Sequence, residues 1–387
     1  MKNKNFNTRA IHVGNAPDKE TGAVISPIHL SSTFEQKEVA VHKGYDYSRA
    51  GNPTRKRFEK NIASLENANF GIAFSSGMAA ITALFQTMRQ GEHAIISRNV
   101  YGGTHRVATR ILANHGFEFD FVDTRFLAKV ESSIKPNTKW IFAETPTNPL
   151  LEICDIEALS DLSKSKDVKL AIDNTFMSPY GQSPITLGAD VVMHSATKFI
   201  GGHSDLIAGV LITNDVSIAD DLYFIQKSGG AVLSPFDSWM LLRSTKTLAL
   251  RFQRHSDNAM AIARILNDFS KVKSVIYPGL QSHSQHSLAS RQQKNPAGEP
   301  IYGSMISFEC ETKEAREGFL KKIKLFTLAE SLGGVESLVC VPYEMTHASV
   351  PQKIKKSMNL SNNLIRLSVG VEYLEDLIND LAQALDE

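Results

Sequence analysis

Cysteine is scarce in this chain of 387 residues: Cys154, Cys310 and Cys340 stand far apart and are odd in number. That excludes a disulfide framework and fits a reducing cytoplasm. Long apolar runs are missing as well, and no stretch approaches the roughly 18 residues that a membrane span needs. Met1 to Ala10 is polar and lacks the apolar segment of a secretory signal, so a soluble, cytoplasmic protein is expected. Net charge is nearly absent, because 42 Lys plus Arg oppose 41 Asp plus Glu. Such a balance provides no field to draw in nucleic acid or an anionic membrane. The 12 histidines show no spacing with cysteine that repeats a zinc pattern, so no metal is expected. A Gly-x-Gly-x-x-Gly fingerprint, a P-loop and a Gly-x-Ser-x-Gly elbow are lacking too.

What is present is an ordinary globular composition, 42% hydrophobic and 21% charged, in a chain long enough for two or three domains. Residues 1–50 are polar and irregular, and they end in the cluster Tyr45-Asp-Tyr47-Ser-Arg49-Ala-Gly-Asn-Pro53. An arm of this kind buries little surface by itself and should lie on another domain or another subunit. From residue 51 to 248 short apolar runs alternate with helical stretches. The runs are Phe70–Ser75, His93–Ser97, Phe117–Asp123, Trp140–Glu144, Lys169–Asp173 and Val191–Ser195. Alternation of this sort predicts an α/β domain with a mostly parallel sheet covered by helices on both faces. One long amphipathic helix is expected over Asp237–Asp268, leading into a smaller α+β domain over 249–387. Ser282–Pro300 reads as a surface loop.

Three of the parallel strands end in polar residues, Glu144, Asp173 and Ser195, and ligands bind beyond the carboxyl ends of such strands. Thr-Pro-Thr-Asn148-Pro follows the first of them. Ser195 is followed by Ala-Thr197-Lys198 and a glycine pair. Most lysines are solvated surface groups, but Lys198 sits at the rim of a sheet beside two hydroxyls that can face one anion. A desolvated lysine sheds its proton and becomes a nucleophile towards an aldehyde, and pyridoxal phosphate supplies both aldehyde and anion. Asp173, at the end of a neighbouring strand, suits the pyridine nitrogen of that cofactor, although an Asp also caps turns. Ser75-Ser76-Gly77 opens a helix whose first N–H groups favour a phosphate, and Ser-Gly is equally an ordinary cap. Tyr101 precedes Gly102-Gly103 and is placed to stack on a planar ring or to pack in the core. Arg366 lies inside the apolar strand Leu364–Val369, where it needs either a carboxylate ligand or an internal ion pair. Ser337 follows Gly333-Gly334, where a backbone can approach a ligand closely.

Several motifs act together here: Tyr47-Ser-Arg49-Ala-Gly-Asn-Pro-Thr54, Ser75-Ser-Gly77-Met78, Tyr101-Gly-Gly-Thr104, Glu144-Thr-Pro-Thr-Asn148-Pro, Asp173-Asn-Thr-Phe and Ser195-Ala-Thr-Lys198. From Thr8 to the C-terminus they resemble the pyridoxal-phosphate enzymes of cysteine and methionine metabolism, the transsulfuration group. The resemblance implies a fold-type I subunit of arm, cofactor domain and small C-terminal domain. It implies that Lys198 carries pyridoxal 5'-phosphate as an aldimine, that Asp173 holds the pyridine nitrogen, and that Tyr101 stacks on the ring and takes part in catalysis. Ser76, Gly77, Met78, Ser195 and Thr197 would bind the phosphate. Tyr47 and Arg49 would reach the phosphate of a neighbouring subunit in a homotetramer. Asn148, Ser337 and Arg366 would hold the α-carboxylate of a sulfur amino acid, with Arg106 near its distal end.

Tyr277–His286, Leu325–Gly334 and Met345–Val350 look like the γ-lyase branch, which implies γ-elimination from cystathionine. The γ-synthases share most of these motifs and the β-lyases share the cofactor set, so both stay open. An inactive cofactor-binding member finds no support, because the lysine, the aspartate and both phosphate elements are present. Methionine γ-lyases typically carry a cysteine where this chain has Gly103, which argues against that activity. Residues 296–300 look like a longer surface loop than usual. Several γ-lyases are taken to carry a glutamate facing the distal end of the substrate at the place of Cys340. A neutral thiol there implies broad substrate tolerance unless Glu344 or another group compensates, and Cys340 is equally open to packing as a small apolar residue.

Overall fold

The computed structural model describes residues 4–348 and 352–385. At its centre is a seven-stranded sheet in the order Phe70–Phe74, Gly209–Thr213, Val191–Ser195, Lys169–Asp173, Thr138–Glu144, His93–Ser97, Glu118–Val122. All neighbours pair in parallel except Gly209–Thr213, which runs antiparallel to both of its partners. Apart from Lys139, Lys169 and Ser195 the residues of the five inner strands are buried, which is why these strands read as mostly apolar runs. Alternate residues nevertheless face opposite layers. Trp140 and Phe142 pack under the helices Gly77–Phe85 and Gly102–Arg110, while Ile141 and Ala143 pack under Ile156–Ser165.

The antiparallel strand Gly209–Thr213 has no counterpart in the sequence reading, and neither do the short strands Thr327–Leu328 and Leu338–Cys340. The expected single helix over Asp237–Asp268 is two helices, Pro235–Ser244 and Leu248–Leu266, joined by a 3-10 turn at Thr245–Thr247. Local hydroxyls explain the break. Thr245 Oγ1 donates to Leu242 O at 3.0 Å and Thr247 Oγ1 to Ser244 O at 3.2 Å, in competition with the helical ladder. Ser282–Pro300 is not all loop. His286–Gln292 is a helix docked on the large domain, with Gln285 and Gln292 accepting from Ile153 N and Ile156 N, each at 2.9 Å. Turns remain on either side of that helix, at residues 282–285 and 294–300.

The C-terminal sheet has the order Val272–Ile276, Met305–Cys310, Leu364–Ser368, Leu338–Cys340, Thr327–Leu328, antiparallel apart from its last pair. Helices Lys313–Lys322 and Leu374–Leu385 cover it, and Phe308, Phe319, Leu367 and Leu381 lie in its core. At the other end of the chain, Phe6–His12 forms a helix that seats Phe6 and Ala10 in the core of the large domain. Asn61 Nδ2 secures it by donating to Val13 O at 2.8 Å. The helix Phe6–His12 therefore packs on its own chain, and most of the exposed arm follows it, with a hairpin of Gln36–Glu38 and Val41–His42.

Candidate active site

Glu144, Asp173 and Ser195 end adjacent strands, and a cavity of about 500 Å³ opens beyond them. Eleven residues singled out in the sequence line it: Ser76, Gly77, Met78, Tyr101, Arg106, Asn148, Asp173, Ser195, Thr197, Lys198 and Arg366. Each wall has its own chemistry.

One wall is the start of the helix Gly77–Phe85. Ser76 caps it, its Oγ accepting from Ala79 N at 3.0 Å, while the other leading N–H groups lack intrahelical acceptors. A Cβ at Gly77 would stand 3.1 Å from Ser195 Oγ, and one at Gly209 would stand 2.2 Å from Ser76 O. Two glycines thus let the helix tip sit directly on the strand ends, where Ser195 and Thr197 add hydroxyls. This is a cradle for a phosphate.

Asp173 is buried on the sheet side of the cavity and accepts from Thr175 N at 3.0 Å and Thr175 Oγ1 at 2.6 Å. Burial pushes its carboxyl up, and the Thr175 bonds oppose that rise. Glu144 lies opposite Asp173 in the register of the two strands. Burial first, and then the like charge of Asp173, push the Glu144 carboxyl up, and the N–H groups of Tyr101 and Asn148 that it accepts oppose that rise. Lys198 lies across the cavity, half-buried, with Nζ donating to Ser331 Oγ at 2.8 Å. Desolvation, followed by the charge of Arg366, lowers its pKa to about 8, and Glu330 partly opposes this.

The far wall comes from the C-terminal sheet. Arg366 is 2% exposed and donates from Nη1 to Asn148 Oδ1 at 2.7 Å and from Nη2 to Ser331 O at 2.9 Å. Its Nε is buried without a partner. A guanidinium prepared in this way suits a carboxylate. Ser331 takes φ +88°, a conformation L residues rarely adopt, in the turn that leads to Gly333. Gly333 is needed there, because a Cβ on it would come within 2.8 Å of Phe199 N, next to Lys198.

Three sequence-derived residues do not line the cavity. Ser337, expected at the substrate carboxylate, is fully buried elsewhere. Its Oγ donates to Glu372 Oε2 at 2.9 Å and accepts from Gly370 N at 2.8 Å, so Ser331 stands where Ser337 was expected. Tyr47 and Arg49 lie on the exposed arm, where Arg49 Nη1 donates to Lys227 O at 2.6 Å. Cys340 is buried in its strand directly opposite Arg366 and faces no substrate space, so the inference of broad tolerance drawn from its thiol loses its basis. The carboxylate that the C-terminal part of the chain brings to the cavity wall is Glu330. Thr175, Glu330 and Ser331 had been overlooked, although Glu330 and Ser331 directly precede Leu332 and the glycine pair. Met345 and Thr346 also line the cavity, while Ser349 and Val350 of the same motif lie outside the described residues. Among the described residues no group of His, Cys, Asp or Glu is arranged to hold a metal ion.

The sequence matches the family described as Cys/Met metabolism PLP-dependent enzyme over residues 7–386. The chain belongs to that family. It is 48% identical to cystathionine gamma-lyase of Bacillus subtilis (strain 168), covering all of both chains. It is 47% identical to cystathionine beta-lyase of Lactococcus lactis subsp. cremoris (strain MG1363), covering 98% of each. The solved cystathionine gamma-lyase of Lactobacillus plantarum, complexed with L-serine, superposes with a TM-score of 0.95 at 43% identity and covers 99% of each chain. As a member of this family the protein is a pyridoxal-phosphate enzyme, and the cavity fits that cofactor. It offers a glycine-lined helix tip for the phosphate, a buried carboxylate for the ring nitrogen, and a lysine with a lowered pKa for the aldehyde. Tyr101, partly exposed at the mouth, presents its ring beside these groups.

Proposed function

We propose that this enzyme is a cystathionine γ-lyase, releasing L-cysteine, 2-oxobutanoate and ammonia from L-cystathionine. The carrying observation is that one cavity is lined by Lys198, a buried guanidinium, Arg366, and a group of opposite charge, Glu330. Cystathionine has a carboxylate beside its reacting α carbon and an ammonium at its distal end, and this pair of groups is complementary to both. Arg366, oriented by Asn148, would bind the α-carboxylate bidentately, with Ser331 completing that end of the cavity. Glu330 would pair with the distal ammonium, and Arg106 would stand near the distal carboxylate.

Pyridoxal phosphate, joined to the substrate amine, supplies an electron sink for charge developing at the α carbon. Asp173 would hold the ring nitrogen protonated, and Ser76, Gly77, Met78, Ser195 and Thr197 would hold the phosphate. Lys198 is the group that would move protons. Desolvation keeps a useful fraction of its amine uncharged near neutrality, so Nζ could remove the α proton, give it up again, and then remove a β proton. The γ sulfur would then depart and take a proton to become cysteine, and water would release 2-oxobutanoate and ammonia. Tyr101 would cover the ring at the mouth and limit access of water.

The exposed Tyr47 and Arg49 support a homo-oligomer, in the expected case a tetramer, in which each arm completes a partner's phosphate site. The separate C-terminal sheet supports a division between 51–248 and 249–387, while of the arm, 1–50, the helix Phe6–His12 packs into the core of the large domain. Three free, buried cysteines and no helix long and apolar enough to cross a membrane, among the described residues, support a cytoplasmic location. A side-by-side assay tests the reaction: 2-oxobutanoate, pyruvate and cystathionine are measured from cystathionine and from O-acylhomoserine plus cysteine. Dominant 2-oxobutanoate from cystathionine is expected. Synthesis far outpacing elimination would make the enzyme a γ-synthase, and pyruvate as the main product would make it a β-lyase.

A further inference from the structure

Glu144 has no part in the chemistry above, yet it is buried on the cavity wall and uses both of its oxygens. Tyr101 N–H donates to Oε2 at 2.7 Å, and Asn148 N–H donates to Oε1 at 2.9 Å. The two donors belong to separate turns. Tyr101 opens the helix Gly102–Arg110 and brings its ring to the mouth of the cavity. Asn148 lies just past the strand Thr138–Glu144 and orients Arg366 through its side-chain oxygen. From Arg366 the bonds continue to Ser331 O, and Ser331 Oγ receives Lys198 Nζ. An unbroken polar circuit therefore runs round the cavity from Tyr101 through Glu144, Asn148, Arg366 and Ser331 to Lys198.

Two N–H groups arriving from different turns, one at each oxygen, suit a carboxylate. An amide of the same length offers one oxygen and turns an NH₂ group towards the other donor. We propose that Glu144 is a positioning residue that couples the ring-facing Tyr101 to the carboxylate-facing Asn148–Arg366 pair. The cofactor side and the substrate side of the site are then set by one carboxylate. This rests on reading Arg366 as the carboxylate anchor, and the test separates the two.

Holoenzyme carrying Glu144→Gln or Glu144→Ala is titrated with glycine, an amino acid without a leaving group, and the dissociation constant is read from the cofactor's absorbance. Visible circular dichroism of the bound cofactor reports how the ring is held, and thermal melting reports fold stability. Each variant should raise the glycine dissociation constant about tenfold or more, the effect of leaving a buried donor unpaired. The same variants should also change the dichroism. Glutamine tests the proposal even if the alanine variant folds poorly. Arg366→Ala is measured alongside and should weaken glycine too. If it does not, the carboxylate reading of Arg366 is wrong. If it does, while both Glu144 variants keep wild-type affinity and dichroism and lose only melting temperature, Glu144 is merely structural and the coupling is refuted. A change in one readout without the other also refutes it, since a single turn would then depend on Glu144.

Discussion

Asn148 and Arg366 meet across 218 residues of chain, with Arg366 Nη1 donating to Asn148 Oδ1 at 2.7 Å. One residue follows a strand of the large parallel sheet and the other lies within a strand of the C-terminal sheet. The cavity is consequently a joint between two sheets. Its anion-binding helix tip and Asp173 come from the first, and its guanidinium, Glu330 and Ser331 from the C-terminal part of the chain.

Lys198 should show a measurable pH signature. Its pKa in the folded apoenzyme is about 8, against 10.5 for an ordinary lysine. Between those values the unfolded chain binds more protons, so the stability contributed by this group rises as pH climbs through the window. At pH 7 its burial costs roughly 3 kcal/mol at most. Urea melts of apo wild type and apo Lys198→Met should therefore differ most below pH 8, with the variant more stable, and converge towards pH 10.5. A constant gap across that range would show that the lysine is not depressed. In the holoenzyme, any replacement of Lys198 should abolish the borohydride-reducible cofactor link and turnover.

Arg49 tests the shared site. Arg49→Ala should lose cofactor more readily than wild type while melting at nearly the same temperature, because its exposed position contributes little to its own core. Refolding a mixture of Arg49→Ala and Lys198→Ala subunits should restore activity that neither variant has alone. One site per mixed pair then combines an intact lysine with an intact partner arginine. Mixed oligomers that stay inactive would rule out a site shared between subunits.

Glu330 separates cystathionine from simpler substrates. Glu330→Gln should raise KM for cystathionine about tenfold while changing little for O-acylhomoserine, which has no distal ammonium to lose. The same change should lower the pKa of Lys198 further, since Glu330 is the group that raises it. Cys340→Ser, by contrast, should leave the ratio of the two substrates unaltered. Equal effects of Glu330→Gln on both substrates would remove it from the distal site.

Much was already decided along the chain itself. The parallel sheet follows from apolar runs buried on both faces, and Lys198, Asp173 and Ser76-Gly77 follow from polar residues placed directly after such runs. Strand ends carry ligand groups because the backbone period carries each run to the same rim of the sheet. Tertiary structure alone decided between Ser331 and Ser337. Both flank Gly333-Gly334, but Ser337 is consumed by Glu372 and Gly370, whereas a left-handed turn aims Ser331 at Lys198. Cys340 is kept from the wall and Glu330 is brought to it for a similar reason: strand pairing sets Cys340 against Arg366 in the sheet, while the preceding turn brings Glu330 to the wall. The helix break at Thr245–Thr247 and the docking of His286–Gln292 were likewise hidden, because hydroxyls and glutamines make those bonds to partners that periodicity does not reveal. Local patterning names the groups a chain can bring to a site, and the pairing of distant segments selects which of them arrive.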